Sequence, residues 1–416
     1  MKDTEQMLKD MYSQTDNCIR CGRCTTVCPT YAATKREPMV ARGRVRLARE
    51  YIEGALGLSE KLKLYYDLCL GCNACLEVCP PRIKVADLIN MLKVQIIQKE
   101  GLSFADRVVL KKILAKPQNF RKVMTLLHFN RQVGTTNLLP LHLKEKVKIL
   151  PDMPKGSIKS LYDNKPGEQK GNYRVGYFVG CLTGAFFPDI ARDVVKVLNY
   201  HDCNVVLLPQ AVCCGLPHRV SGDLQESRKL ARKNIELFKA YLVDYIVTDC
   251  GSCGHALKDY NNLFEGADNI AGDAAAFSKK VCDINEFLVD IVGLKAGERA
   301  LDGRRVTYHE SCHLNRGQRV SRQPKQILQA IHGLEYVAMP EADWCCGAAG
   351  SFAFKHQDMA RRILARKINH IKQTGAQYVT AGCPACLIQL GYGQREFKLE
   401  YRVKHPVQLL AETIIG

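Results

Sequence analysis

A chain of 416 residues, 46% of them apolar, has material for two or three hydrophobic cores rather than one, and a composition this rich in core formers excludes a disordered chain. Its twenty cysteines would suggest disulfides in a small secreted protein, but they fall at metal-ligand spacings; Met1–Asp16 also lacks the apolar block of an export signal, so a reducing, cytoplasmic compartment is expected. The formal charge of +18 suits an acidic partner or an anionic surface, including peripheral attachment to the inner face of the cytoplasmic membrane, yet no nucleic-acid motif accompanies it, and the best apolar run, Val175–Pro188, is too short to span a bilayer.

The first pattern along the chain is Cys18, Cys21, Cys24 and Cys28 followed by Pro29, repeated as Cys69, Cys72, Cys75 and Cys79 followed by Pro80. Three thiolates stepped two residues apart can wrap one 4Fe-4S cubane, and the fourth, before proline, reaches a second cubane, so the two runs complete each other. Cys18, Cys21, Cys24 and Cys79 are therefore expected to hold one cluster, and Cys69, Cys72, Cys75 and Cys28 the other. Zinc is the competing occupant of C-x-x-C pairs, but zinc knuckles use two pairs across a loop, not three evenly stepped cysteines and a fourth before proline. Between the runs, Ala41–Gly54 reads as a helix with Val45, Ala48, Tyr51 and Ile52 on one face and arginines on the others. A small helical domain over residues 1–98 is the expected container.

Residues 99–170 lack cysteine, alternate basic helical stretches with apolar ones, and end in the proline- and glycine-bearing segment Leu150–Gly171, the pattern of a connector and linker. From Gly171 the pattern becomes short β-branched runs alternating with amphipathic helices: strand Arg174–Cys181, helix Asp189–Tyr200, strand Asn204–Pro209, helix Glu226–Tyr241, strand Tyr245–Asp249 and helix Ser252–Leu263. A second copy follows, with strand Val306–Glu310, helix Lys325–Ile331, strand Leu334–Met339, helix Asp358–Ile371 and strand Gln377–Ala381. The expected fold is α/β with a small all-α domain: helical residues 1–98, then a duplicated, mostly parallel α/β unit over 171–300 and 301–416.

Each copy carries five matched cysteines: Cys181, Cys213, Cys214, Cys250 and Cys253 in the first, and Cys312, Cys345, Cys346, Cys383 and Cys386 in the second. The single cysteine precedes the adjacent pair by 32 residues in one copy and 33 in the other, and the pair precedes the C-x-x-C by 36 and 37. Every one lies at or just past the end of an expected strand, where side chains of a parallel sheet converge. Five thiolates exceed the four that a cubane takes, which favours a non-cubane iron-sulfur cluster in each copy over a structural zinc site. Gly215 and Gly347, after the pairs, are expected in tight turns.

On these residues the layout resembles the cysteine-rich CCG domain found twice in heterodisulfide reductase. The whole plan resembles the iron-sulfur subunits of glycolate oxidase and D-lactate dehydrogenases, and the iron-sulfur protein of anaerobic glycerol-3-phosphate dehydrogenase is similar too. The likeness includes Ala41-Arg-Gly-Arg44, Gly180-Cys-Leu182, Ser311-Cys-His-Leu314, Asp343-Trp-Cys-Cys-Gly-Ala-Ala-Gly350 and His405-Pro-Val-Gln-Leu-Leu-Ala411. The resemblance implies an alpha-helical ferredoxin domain and an electron-transfer role between an FAD-containing 2-hydroxy-acid dehydrogenase subunit and an acceptor such as a quinone, an electron-transfer flavoprotein or a ferredoxin. Hydride removal from a 2-hydroxy acid suits a flavin rather than an iron-sulfur cluster, and this chain has no G-x-G-x-x-G after a strand, so the FAD is expected on a partner. Both final C-x-x-C motifs are complete, which leaves the alternative of a heterodisulfide-reductase-like catalytic role.

Some residues are set aside. Cys203 and Cys282 have no counterpart in the repeat and read as small buried apolar residues. His218, His255, His309 and His313 lie beside the cysteine sets and are expected to hydrogen-bond around them, and Trp344 to shield the second pair from water.

Overall fold

The computed structural model describes residues 4–132, 141–152, 154, 156, 158–163, 171–264 and 269–415. Residues 133–140 and 164–170 of the expected connector lie outside them.

The amino-terminal unit is helical. Helix α1 (Ala41–Ile52) and helix α2 (Val85–Glu100) bury Ala41, Val45 and Ala48 of the first against Leu88, Ile89, Leu92 and Ile96 of the second, with Met11, Leu62 and Tyr66 closing a core of their own. Burying such aliphatic side chains contributes roughly 1.5–3 kcal/mol each, and it fixes the two cysteine-bearing loops that this core supports. The spacer helix ends at Ile52, two residues before the expected Gly54, whose φ of +77° is left-handed backbone that no helix continues through. Arg44, on a face of this helix other than that of Val45 and Ala48, is 2% exposed. Helix Glu60–Asp67, which leads into Cys69, is capped by Ser59, whose hydroxyl accepts from the Leu62 N–H at 3.2 Å. Ser59→Ala is expected to cost about 1 kcal/mol, seen as a lower denaturant midpoint in the transition that melts this unit.

The duplicated units are two four-stranded parallel sheets. The first comprises β1 (Tyr173–Tyr177), β2 (Cys203–Leu207), β3 (Tyr245–Thr248) and β4 (Val281–Asp283) in the order β2-β1-β3-β4. The second comprises β5 (Arg304–His309), β6 (Leu334–Tyr336), β7 (Tyr378–Ala381) and β8 (Arg402–Lys404) in the order β6-β5-β7-β8. Register is equivalent: Val175 pairs Tyr245 in the first sheet as Val306 pairs Tyr378 in the second. Helix α3 (Pro188–Tyr200) buries Ile190, Ala191, Val194, Val197 and Leu198, the face anticipated from its periodicity, and α4 (Leu224–Ala240) buries Leu230, Ala231, Ile235 and Phe238. In both sheets the chain visits one flank of the central strand and then the other, so the carboxyl ends of its two middle strands open onto a crevice where ligands gather.

The expected helix Ser252–Leu263 is broken. It runs as α5 (Gly251–Lys258) and then Tyr260–Leu263, the break falling at Asp259, whose carboxylate pairs with Arg219. Helix α6 (Cys312–Gln318) of the second copy packs directly on α5, and α7 (Gln357–Thr374) covers the second sheet. Among the described residues, no helix is long and apolar enough to cross a membrane.

Candidate metal centre

In the amino-terminal unit Cys18, Cys21, Cys24 and Cys79 line one small cavity, which Cys75 also reaches. Cys21 is exposed and the other four are half-buried. Cys28 is buried, its thiol 3.4 Å from Thr30 Oγ1 and 3.3 Å from the Met39 carbonyl, and both it and Cys69 lie within electrostatic reach of Cys75. Cys72 neighbours Cys75 on one side and Cys345 of the second copy on the other. Cys79 thus lies with Cys18, Cys21 and Cys24, and Cys28 lies near both Cys24 of its own run and Cys75 of the other.

Arg44 clamps this unit. Its Nε donates to the Tyr65 carbonyl at 2.9 Å, Nη1 to Met39 at 2.6 Å, and Nη2 to Leu68 at 2.9 Å and to Thr30 Oγ1 at 3.2 Å. A buried cation needs a counter-charge, and all four of these acceptors are neutral. Its electrostatic neighbour is the Cys75 thiol.

The ten matched cysteines of the duplicated units line a single cavity of about 310 Å³ between those units and the amino-terminal one, which Cys69 also lines. The sequence suggests two five-thiol sites; the fold joins them. Thiol lies against thiol from Cys181 to Cys213, Cys214, Cys253 and Cys250 in the first copy. From Cys250 the contact passes to Cys383 of the second copy and on through Cys386, Cys346 and Cys345 to Cys312. Burial pushes the Cys75 thiol upward, and the contacts of Cys181 with Cys213 and of Cys253 with Cys214 and Cys250, with burial added, do the same for those two, so as free thiols these would hold their protons.

Local backbone explains the convergence. Cys181 and Cys312 open short helices directly after β1 and β5, and Cys250 and Cys383 are the residues preceding the helices after β3 and β7. The adjacent pairs sit in turns completed by Gly215 and Gly347 at φ +83° and +85°, where a side chain would strain the backbone. The two sets meet because α5 and α6 approach through glycines. A Cβ on Gly251 would stand 2.9 Å from Leu314 Cβ and 3.1 Å from the Gly382 carbonyl oxygen, and one on Gly254 would stand 2.6 Å from the Gln318 amide.

The four histidines separate. His255 and His313 stack at the junction, ring centroids 5.0 Å apart; His313 Nδ1 meets Ser252 Oγ at 3.1 Å, and His255 Nδ1 meets the Gly317 carbonyl at 3.3 Å. His309 lines the same cavity. His218 does not line it: its Nε2 meets the Leu110 carbonyl at 3.0 Å and pins the first copy to the connector, which corrects its expected place beside the cysteines. Cys203 and Cys282 are buried on β2 and β4, outside the cavity lining. Trp344 is buried beside Cys345 with the Arg366 guanidinium 3.8 Å from its ring centroid.

Whether these residues suit an iron-sulfur group can be judged from their unmet polar needs. Among the described residues, both ring nitrogens of His309, Arg316 Nη1 and Trp344 Nε1 are buried donors or acceptors with no hydrogen-bond partner. Buried polar groups are paired in nearly all proteins, and these lie beside thiols that an anionic, sulfide-rich group would bridge. The donor set is soft sulfur in excess, which suits iron-sulfur chemistry. Arg316 and Lys367 carry no sequence signal that separates them from surface cations; Arg44 has only its place in the Ala41-Arg-Gly-Arg44 run.

Comparison with known proteins gives the same picture. Residues 14–83 match the 4Fe-4S dicluster domain, and residues 175–258 and 306–391 each match the cysteine-rich domain. The chain is 32% identical over 433 residues to the probable glycolate oxidase iron-sulfur subunit of Bacillus subtilis (strain 168), covering 99% of this chain and 97% of that protein. It is 32% identical to lactate utilization protein A of Oceanobacillus iheyensis, over 57% of this chain and 96% of that one. An uncharacterized iron-sulfur protein of Methanococcus maripaludis is 29% identical over 97% of this chain and 72% of its own length.

Proposed function

Because the chain belongs to the family of the probable glycolate oxidase iron-sulfur subunit and lactate utilization protein A, we propose that it is the electron-transfer subunit of a flavin-dependent 2-hydroxy-acid dehydrogenase acting on glycolate or D-lactate. In this reading Cys18, Cys21, Cys24 and Cys79 hold one cubane and Cys28, Cys69, Cys72 and Cys75 the second, while each five-cysteine set holds a non-cubane cluster. Such clusters take up and give away single electrons at thiolate-bound iron.

The observation that carries the proposal is the unbroken succession of cysteines. It begins at exposed Cys21, passes Cys24, Cys75 and Cys72 to Cys345, and ends at Cys181 of the first copy. A succession with one exposed end suits docking of a partner there, and the mostly buried thiols of the duplicated units keep water from their sites. The two-electron step of hydride removal is assigned to an FAD on that partner, since the chain carries no dinucleotide-binding signature. The acceptor is a quinone, an electron-transfer flavoprotein or a ferredoxin.

The test is to isolate the chain with its natural partner and add lactate or glycolate anaerobically. Bleaching of the visible iron-sulfur absorbance is expected, together with about sixteen irons per chain if all four sites hold four. A complex without flavin, or absorbance unchanged by either acid, would overturn the reading.

A second reading, disulfide reduction at the duplicated sites, is favoured by one feature: the joined cavity presents Ser252 and His313 beside Cys383. A thiol-release assay with reduced dye as donor separates the two, and no turnover on any disulfide removes this one.

A further inference from the structure

The cysteines of the two copies superpose in sequence, but their surroundings do not. Three residues before the single cysteine, the first copy has Phe178 and the second His309; four residues after it, the first has Ala185 and the second Arg316. On the long helix behind each pair, Asn234 of α4 bonds the Val212 and Cys213 carbonyls, while Lys367 of α7 bonds the Glu341 and Ala342 carbonyls, at 2.5 and 3.1 Å. At each place the first copy is neutral and the second carries a cation or a ring N–H.

All three of the second copy's groups face its thiols. His309 is 1% exposed, and a ring nitrogen lies within 4.8 Å of the Cys346 and Cys386 sulfurs. The Arg316 side chain is 8% exposed and ion-paired with Asp343 through Nη2, while its buried Nη1 has no hydrogen-bond partner among the described residues and the guanidinium is within reach of Cys72, Cys312 and Cys345. Lys367 is fully buried, and its electrostatic neighbours are Cys346 and Cys345 together with the Asp343 and Glu341 carboxylates, which pair with Arg316 and Arg366. The first copy's nearby arginine, Arg219, is paired with Asp259. The buried acid Asp249 faces both Cys250 and Cys383 at the junction, so it does not distinguish the copies.

We propose that the two duplicated sites are redox-inequivalent, the second copy's site reducing at the higher potential because His309, Arg316 and Lys367 stabilise added negative charge where Phe178, Ala185 and Asn234 cannot. The inference rests on the iron-sulfur reading of the cysteine sets. Reduction makes a cluster more anionic, and hydrogen bonds to sulfur and buried cations in a low-dielectric setting lower the energy of that state. Because Cys72 adjoins Cys345, electrons from the amino-terminal unit meet the second copy's site first and settle there. The first copy's site fills only after it, giving an ordered two-electron store.

The test is an anaerobic redox titration of the full iron-loaded chain, followed by electron paramagnetic resonance after its iron has been counted. His309→Phe and Arg316→Ala, each installing the first copy's residue, are expected to lower the higher of the two potentials of the duplicated sites and leave the lower one in place; Arg316→Lys is expected to retain most of the wild-type value. Potentials that stay put in both iron-loaded variants, or a shift confined to the lower-potential site, would overturn the proposal alone. Duplicated units that hold no iron in the wild-type chain would overturn the iron-sulfur reading as well.

Discussion

Replacing Arg44 with methionine is expected to strip the amino-terminal unit of its iron, lowering the content from about sixteen to about eight per chain, while the duplicated units keep theirs. The guanidinium bonds three segments at once. Thr30 follows Cys28, Met39 ends the turn before α1, and Leu68 immediately precedes Cys69. Methionine fills similar volume, so the loss is one of hydrogen bonds and charge rather than of packing. It leaves the Tyr65 and Leu68 carbonyls short of a donor at about 1–3 kcal/mol for each that stays buried and unsatisfied. The Met39 carbonyl keeps the Thr30 hydroxyl at 2.7 Å, so the damage falls mainly at Tyr65 and Leu68, on the approach to the second cysteine run. Iron analysis and resonance spectra of the purified variant check this, and full iron content with unchanged cubane signals would refute it.

Gly251→Val is expected to separate the two thiol sets without emptying either. The Gly251 N–H donates to the Gly382 carbonyl at 2.9 Å, so the backbones of the two copies touch beside the Cys250–Cys383 contact. The new side chain would press on Leu314 Cβ and that carbonyl, neither of which can swing aside as the end of a long flexible side chain would. Overpacking of this kind typically costs about 1–3 kcal/mol, less than the usual stability of a domain, so the variant folds with α5 and α6 further apart. Stopped-flow reduction should resolve a fast phase that ends at the second copy and a slow one for the first. A single phase at the wild-type rate would mean that the two sets do not communicate through this contact.

Much of this was legible in the sequence because cysteine spacing is a local code. The C-x-x-C-x-x-C runs and the matched intervals between Cys181, Cys213, Cys250 and their counterparts place the thiols at strand ends before any fold is drawn. Six of the eight strands and the helices between them also followed from periodicity, apart from ends and a break set by capping and turns, such as Gly54 and Asp259, whereas the three-residue edge strands β4 and β8 were too short to show. What the sequence hid was long-range. Arg44 shares its helix with exposed arginines, and only the carbonyls gathered around it show that it is buried. The fusion of two five-thiol sites into one cavity depends on Gly251, Gly254 and Gly382 meeting another copy's side chains, and no periodicity records which partner a glycine admits.

The two sheets share one polypeptide, and this has an evolutionary consequence. A homodimer of a single such unit would be bound by its own rotational symmetry to place the same side chain at both active positions, histidine in both or phenylalanine in both. Covalent fusion of the halves lifts that restriction. Each half can drift independently while the interface between them stays permanently assembled, and a symmetric pair of identical centres becomes a polarised device with a direction.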